Sequence, residues 1–166
     1  MPRIAFEYRF TVKLPVCAAA AYRWATDFAP DDLRRLHQSG RRQVEHLTEG
    51  TILLTDTVRA GGRTVTKQRL VRLRPRARAW TSTHVAGPNR HSQFLYRISP
   101  RGAHRSTLEF IGLQVERAPR RLTAAERARR ARTVASEDAA TWNHIVRAMA
   151  TELRAAPARA RRRRIG

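Results

Sequence analysis

The chain's middle third carries an acid, two bases, an imidazole and a phenol at spacings that could bring them to one space. Ile52, Leu54 and Val58 alternate along one segment, and Asp56 falls in the same phase. Val65, Val71 and Leu73 place Lys67 and Arg69 in phase with the apolar face of the next segment, and Trp80 does the same for His84. Tyr96 shares a face with Phe94 and Ile98. Turned inward together, these groups would have to pair with one another, with water or with a ligand, because burying them unpaired is very costly. The chemistry would be a polar head-group site, or an acid/base centre with His84 as the titrating group. One bulge between Asp56 and His84 would instead turn these side chains to solvent, and the sequence leaves both placements open.

The elements that must position them follow from periodicity. Ile4 to Val12 alternates as a half-buried strand that Pro15 stops. Val16 to Asp27 predicts a short helix, and Asp31 to Leu36 a second, after Pro30. From Arg41 the period is two. Strands are predicted over 42–48, 51–59, 64–73, 79–86, 92–99 and 106–115. Gly50, Gly61-Gly62, Pro75, Gly87-Pro88 and Pro100-Arg101-Gly102 form the joints. Joints this short imply an antiparallel meander.

A long amphipathic helix is predicted from Thr123 to about Leu153, ending near Pro157. Thr123 and Glu126 have the spacing of a capping box. Ala128, Ala131, Ala135, Asp138, Trp142, Ile145 and Met149 form its apolar stripe, with Arg127, Arg130 and Arg147 opposite. This helix is the only predicted element large enough to cover one face of a seven-stranded sheet. Asp138 interrupts the stripe. It would pair with an inward Arg or His, face a polar ligand group, or sit in water at the stripe's edge.

The expected fold class is therefore α+β, of order β-α-α-β6-α. A curved seven-stranded antiparallel sheet wraps the C-terminal helix over residues 1–155, and 156–166 form a basic, disordered tail. Phe94 and Tyr96, with Trp80 and His84, would wall the space between sheet and helix. Trp142, Ile145, Met149 and Asp138 would form its ceiling. Each of the apolar ones could equally be ordinary core.

The 166 residues suffice for one domain, and no apolar run is long enough to span a bilayer. No signal pattern opens the chain, so a cytoplasmic location is expected. Cys17, the single cysteine, rules out an internal disulfide and reads as a small buried hydrophobe. The six histidines lack metal-ligand spacing, and there is no phosphate-cradling loop, nucleophile elbow or dinucleotide fingerprint, so neither metal nor cofactor is expected.

The net charge is +21, and of 34 basic residues only Lys13 and Lys67 are lysine. Such charge implies attraction to phosphate-rich surfaces, with Arg161, Arg162, Arg163 and Arg164 as candidate anion contacts for weak association with RNA or an anionic membrane.

Three segments carry a resemblance: LPVCAAAAYRWATDF at 14–28, VRLRPRARAWTSTHVAGP at 71–88 and LYRISPRGAHRSTLEF at 95–110. In order and spacing the chain resembles the START-like, polyketide-cyclase and birch-pollen-allergen-like superfamily (SRPBCC), over about residues 4 to 153, which implies that superfamily's helix-grip fold. The resemblance implies a cavity between sheet and helix for a hydrophobic molecule such as a lipid, sterol, quinone or polyketide intermediate. Some members are cyclases or dehydratases and others carry or sense a ligand; the superfamily has no universal catalytic signature. Binding of a small hydrophobic ligand is the leading expectation. A cyclase or dehydratase using His84, Asp56 and Tyr96 is the alternative, and an RNA- or membrane-associated module acting through charge is a further one.

Overall fold

A computed structural model describes residues 1–35 and 38–162. The order is β1 (Arg3–Leu14), α1 (Ala18–Ala25), α2 (Asp32–Arg35), β2 (Gly40–Thr48), β3 (Thr51–Ala60), β4 (Arg63–Arg74), a single 3-10 turn (Pro75–Ala77), β5 (Ala79–Ala86), β6 (Gln93–Pro100), β7 (Ser106–Arg117) and α3 (Ala124–Arg162). One antiparallel sheet runs β1-β7-β6-β5-β4-β3-β2, so β2 to β7 form the expected meander and β1 closes beside β7. The helix-grip expectation is met, and every predicted strand is present.

Local chemistry explains the boundaries. Residue 92 was expected to open β6, but Ser92 is fully buried before it. Its hydroxyl accepts from the Val115 N–H at 2.8 Å and stands in for a ladder bond. Gly87 turns the preceding loop at φ +99°, where a β-carbon would lie 2.8 Å from the Thr66 carbonyl oxygen. The predicted second helix is described over Asp32–Arg35, and Leu36 lies outside the described residues. Cys17 is half-buried ahead of α1, more open than a core hydrophobe.

The start of α3 is the predicted capping box. Glu126 accepts from the Thr123 N–H at 2.8 Å, and Thr123 Oγ1 accepts from the Glu126 N–H at 3.2 Å. Two expectations for this helix need correction. Its end is not at Pro157: the helix continues to Arg162, because a proline removes one bond to the preceding turn without forbidding the turn that follows. The buried stripe also starts later. Ala128 is exposed, and the stripe runs through Ala131, Val134, Ala135, Asp138, Trp142, Ile145, Val146, Met149 and Ala150. A seven-position pattern cannot show how the stripe drifts along a straight helix of 3.6 residues per turn.

α3 lies along β1 and closes the concave face of the sheet. At one end of that face, Ile4, Phe6, Tyr8, Phe94 and Phe110 pack on Val134. At the other, Val12, Leu14, Ala18, Leu54, Ile98, Leu108 and Met149 form the larger core. Phe10 and Phe110 stack at 4.5 Å between centroids. Gly112 faces these rings; a β-carbon there would come within 2.9 Å of both Phe110 and Tyr8, so its missing side chain is what admits them.

Candidate ligand cleft

Beside the larger core, Trp142 of α3 packs on Trp80 and Tyr96 of the sheet at 6.4 and 5.7 Å between ring centroids. A cleft with about 750 Å³ of empty space, part of it open to solvent, lies under α1, α2 and α3. Alternation along β4, β5 and β6 brings Arg69 and Val71, Trp80 and Ser82, and Tyr96 to its wall. Trp80 and Tyr96 stack across neighbouring strands at 4.7 Å and 4°. Trp24 and Ala25 come from α1, Phe28 from the turn after it, and Trp142, Ile145 and Ala148 from α3. All three tryptophans of the chain therefore face this space. The Trp24 indole donates to Glu152 Oε2 at 2.9 Å, which fastens α1 to α3 at the rim.

One side of the cleft is polar. Arg42 grips Asp56 with two bonds, Nε to Oδ1 at 2.7 Å and Nη2 to Oδ2 at 3.1 Å, and its Nη1 reaches Asp32 at 2.6 Å. Arg69 donates to Asp56 from the opposite side. Asp56 and the Arg42 side chain are each 5% exposed, so this is a buried ion network rather than a surface pair. Burial raises the Asp56 pKa, but the hydrogen bond from Arg42 and the charges of Arg69 and Arg42 outweigh it. The carboxyl is held below its ordinary value. Arg42, Asp32 and Arg69 reach the cleft; Asp56 lies behind them.

The parity reasoning holds: Asp56 and His84 are buried on the concave face, and no bulge turns them to water. The groups do not assemble into one centre, however. His84 stands opposite Arg69 in the β4–β5 ladder, beside a register shift between Gln68 and Arg69, and does not line the cleft. It packs edge-on against Phe94 at 5.1 Å, and its Nδ1 is buried without a partner. Burial and the charges of Arg69 and Lys67 lower its pKa to about 4, against the opposing pull of Asp56. His84 is thus a neutral ring at ordinary pH, and no hydrogen bond joins it to Asp56 or Tyr96.

Tyr96 does line the cleft. Burial pushes its pKa up, so the phenol keeps its proton and remains a donor. Its hydroxyl bonds to no other described residue, and Ser82 Oγ, on the neighbouring strand of the same cleft wall, is buried without a partner. Of the expected ceiling, Trp142 and Ile145 line the cleft, whereas Met149 is fully buried in the core. Phe94, expected in the wall, packs in the aromatic core instead. Asp138 accepts a hydrogen bond from Tyr8 and does not line the cleft. Arg161 and Arg162 lie in the last turn of α3, and Arg163 and Arg164 lie outside the described residues.

Sequence reasoning missed Trp24, Phe28, Asp32, Arg42 and Ser82. Signals existed for two of them. Arg42 is in phase with Val44, and Ser82 lies between Trp80 and His84 in the same phase. The other three come from α1, α2 and the turn between them, whose docking on the sheet is a tertiary event.

Zhui aromatase/cyclase from Streptomyces sp. R1128 matches this structure with a TM-score of 0.73 and 17% identity, over 92% of this chain and 98% of that one. A START superfamily protein from Mycobacterium smegmatis matches with a TM-score of 0.62 and 15% identity, over 86% and 93%. The fold is that of the START-like superfamily. Norcoclaurine synthase from Thalictrum flavum, in complex with dopamine and hydroxybenzaldehyde, shares the START-like architecture with a TM-score of 0.64 and 10% identity, over 90% and 88%. No family model and no curated protein matches the sequence. Among the described residues no helix is long and apolar enough to cross a membrane.

Proposed function

We propose that this START-like chain binds a small, largely hydrophobic and planar molecule, of quinone or polyketide-like character, in the cleft between sheet and α3. The observation that carries the reading is the lining itself. Trp24, Phe28, Trp80, Tyr96 and Trp142 supply aromatic surface, and Arg69, Ser82 and Tyr96 supply donors on one wall. A site with broad apolar walls and a few fixed polar groups suits a ring system bearing carbonyl or phenol oxygens. A flexible acyl chain would leave those donors unmatched, so a lipid is the less suited occupant.

Turnover by a cyclase or dehydratase is the alternative at the same cleft. The likeness to an aromatase/cyclase supports it, as does the protonated Tyr96 phenol on the cleft wall that Ser82 shares. It would have to proceed without His84 and Asp56, since one stands outside the cleft and the other is held by two guanidiniums.

Tryptophan fluorescence tests binding directly, because every indole faces the cleft. Titration with anthraquinone should give saturable quenching at one molecule per chain, and native mass spectrometry should find the same ratio. Flat titrations with anthraquinone, a naphthoquinone and oleate alike would sink the proposal.

A further inference from the structure

The outer, convex face of the sheet carries two features that the cleft does not use. The first is unpaired positive charge at one end. Arg72 and Arg74 on β4, Arg97 on β6 and Lys13 on β1 all point outward and are exposed. The register places Arg74 opposite Ala79, and Ala79 opposite Arg97, so these two cations stand two strands apart, about 10 Å. Arg101 joins them, its Nε donating to Thr107 Oγ1 at 3.2 Å, and Thr107 stands opposite Lys13. None of the five forms an ion pair with another described residue. Glu109, opposite Arg97, is the one carboxylate in these cross-strand rows.

The second feature is apolar exposure on the same face. Val85 and Ile111 are 40% and 46% exposed, and both have outward parity. One cross-strand row reads Arg72, Thr81, Leu95, Ile111, Arg9, with aliphatic side chains set between cations. The aromatic residues of the strands point to the concave side. A face without rings offers no platform for stacking bases, which disfavours single-stranded nucleic acid as the partner. Aliphatic side chains among arginines suit a surface that is anionic outside and greasy beneath.

We propose that the convex face of the sheet, centred on Arg72, Arg97 and Ile111, docks on an anionic lipid membrane. This surface is separate from the cleft, and its test is independent of ligand binding. The full chain is co-sedimented with phosphatidylcholine vesicles with and without phosphatidylserine, at low and high ionic strength. Binding should require phosphatidylserine and weaken with salt. The double variant Arg72→Glu/Arg97→Glu should lower partition roughly tenfold with Tm unchanged, and Ile111→Ser should lower it less. Should the double variant melt early, Lys13→Gln/Arg74→Gln gives the same readout with smaller charge changes. Replacing Arg161 to Arg164 by glutamine separates the chain's end from the sheet. Binding that survives both pairs of sheet substitutions, or that vanishes with the glutamine replacements alone, overturns the proposal. So does binding to polyuridylate RNA in the absence of vesicle binding.

Discussion

The Tyr8 hydroxyl donates to Asp138 Oδ2 at 2.5 Å, joining the first strand to the last helix. Among the described residues no cation pairs with this carboxylate. Burial raises its pKa and the neighbouring Glu137 adds to the rise, against the lowering effect of the Tyr8 bond. A raised folded-state pKa means stability is present while the carboxyl is protonated and is lost as pH rises through the folded value. Asp138→Asn should therefore melt higher than the parent at neutral pH, with the gain disappearing in acid. Tyr8→Phe should cost about 1–3 kcal/mol, because it strips the carboxylate of its donor. Thermal melts across pH check both.

His84 has the opposite sign. Its pKa is lowered from about 6.5 to about 4, so the native state excludes the proton that the unfolded chain accepts. Its contribution is complete above the unfolded value and is lost as pH falls from 6.5 through 4, by up to about 3 kcal/mol. His84→Leu should flatten the stability curve over that window. Denaturant midpoints measured at several pH values would expose an unchanged slope, and with it an error in placing His84.

Arg42 tests the ion network. Arg42→Ala leaves the buried Asp56 with Arg69 alone, and losing one partner of such a pair costs about 3–5 kcal/mol. Arg42→Met, which keeps volume but not charge, should recover little. Near-normal melting of Arg42→Met would mean that packing, not charge, is what Arg42 supplies.

Ala148 tests the cleft. It lines the space from α3 and is half-exposed, so Ala148→Phe can project into the void without displacing core. Melting should shift little, while the affinity for anthraquinone read from quenching should fall at least tenfold, a change of about 1.4 kcal/mol. Retained affinity would place the binding site elsewhere.

Most of the scaffold was legible because its signals are local. Period-two alternation gave each strand a buried face, turn residues gave the joints, and Thr123 with Glu126 gave the helix start. The inward parity of Asp56 and His84 could be read for the same reason. What could not be read depends on how elements meet. The register shift at Gln68 and Arg69 leaves His84 beyond the cleft wall, and no residue in either strand announces it. Arg42 becomes the partner of Asp56 only when β2 is laid beside β3. Pro157 misled because a proline weakens one turn, whereas the helix's end depends on everything around it.

β1 and β2 are the two margins of the sheet and never pair with each other. The seam left between them is covered differently on its two sides. β1 is roofed by α3, and among the described residues the short helix α2 lies on β2, joined to it by the Asp32–Arg42 bond. The Asp32–Arg42 bond therefore ties a margin of the sheet to the rim of the cleft, so that strand edge and ligand space share one carboxylate–guanidinium contact.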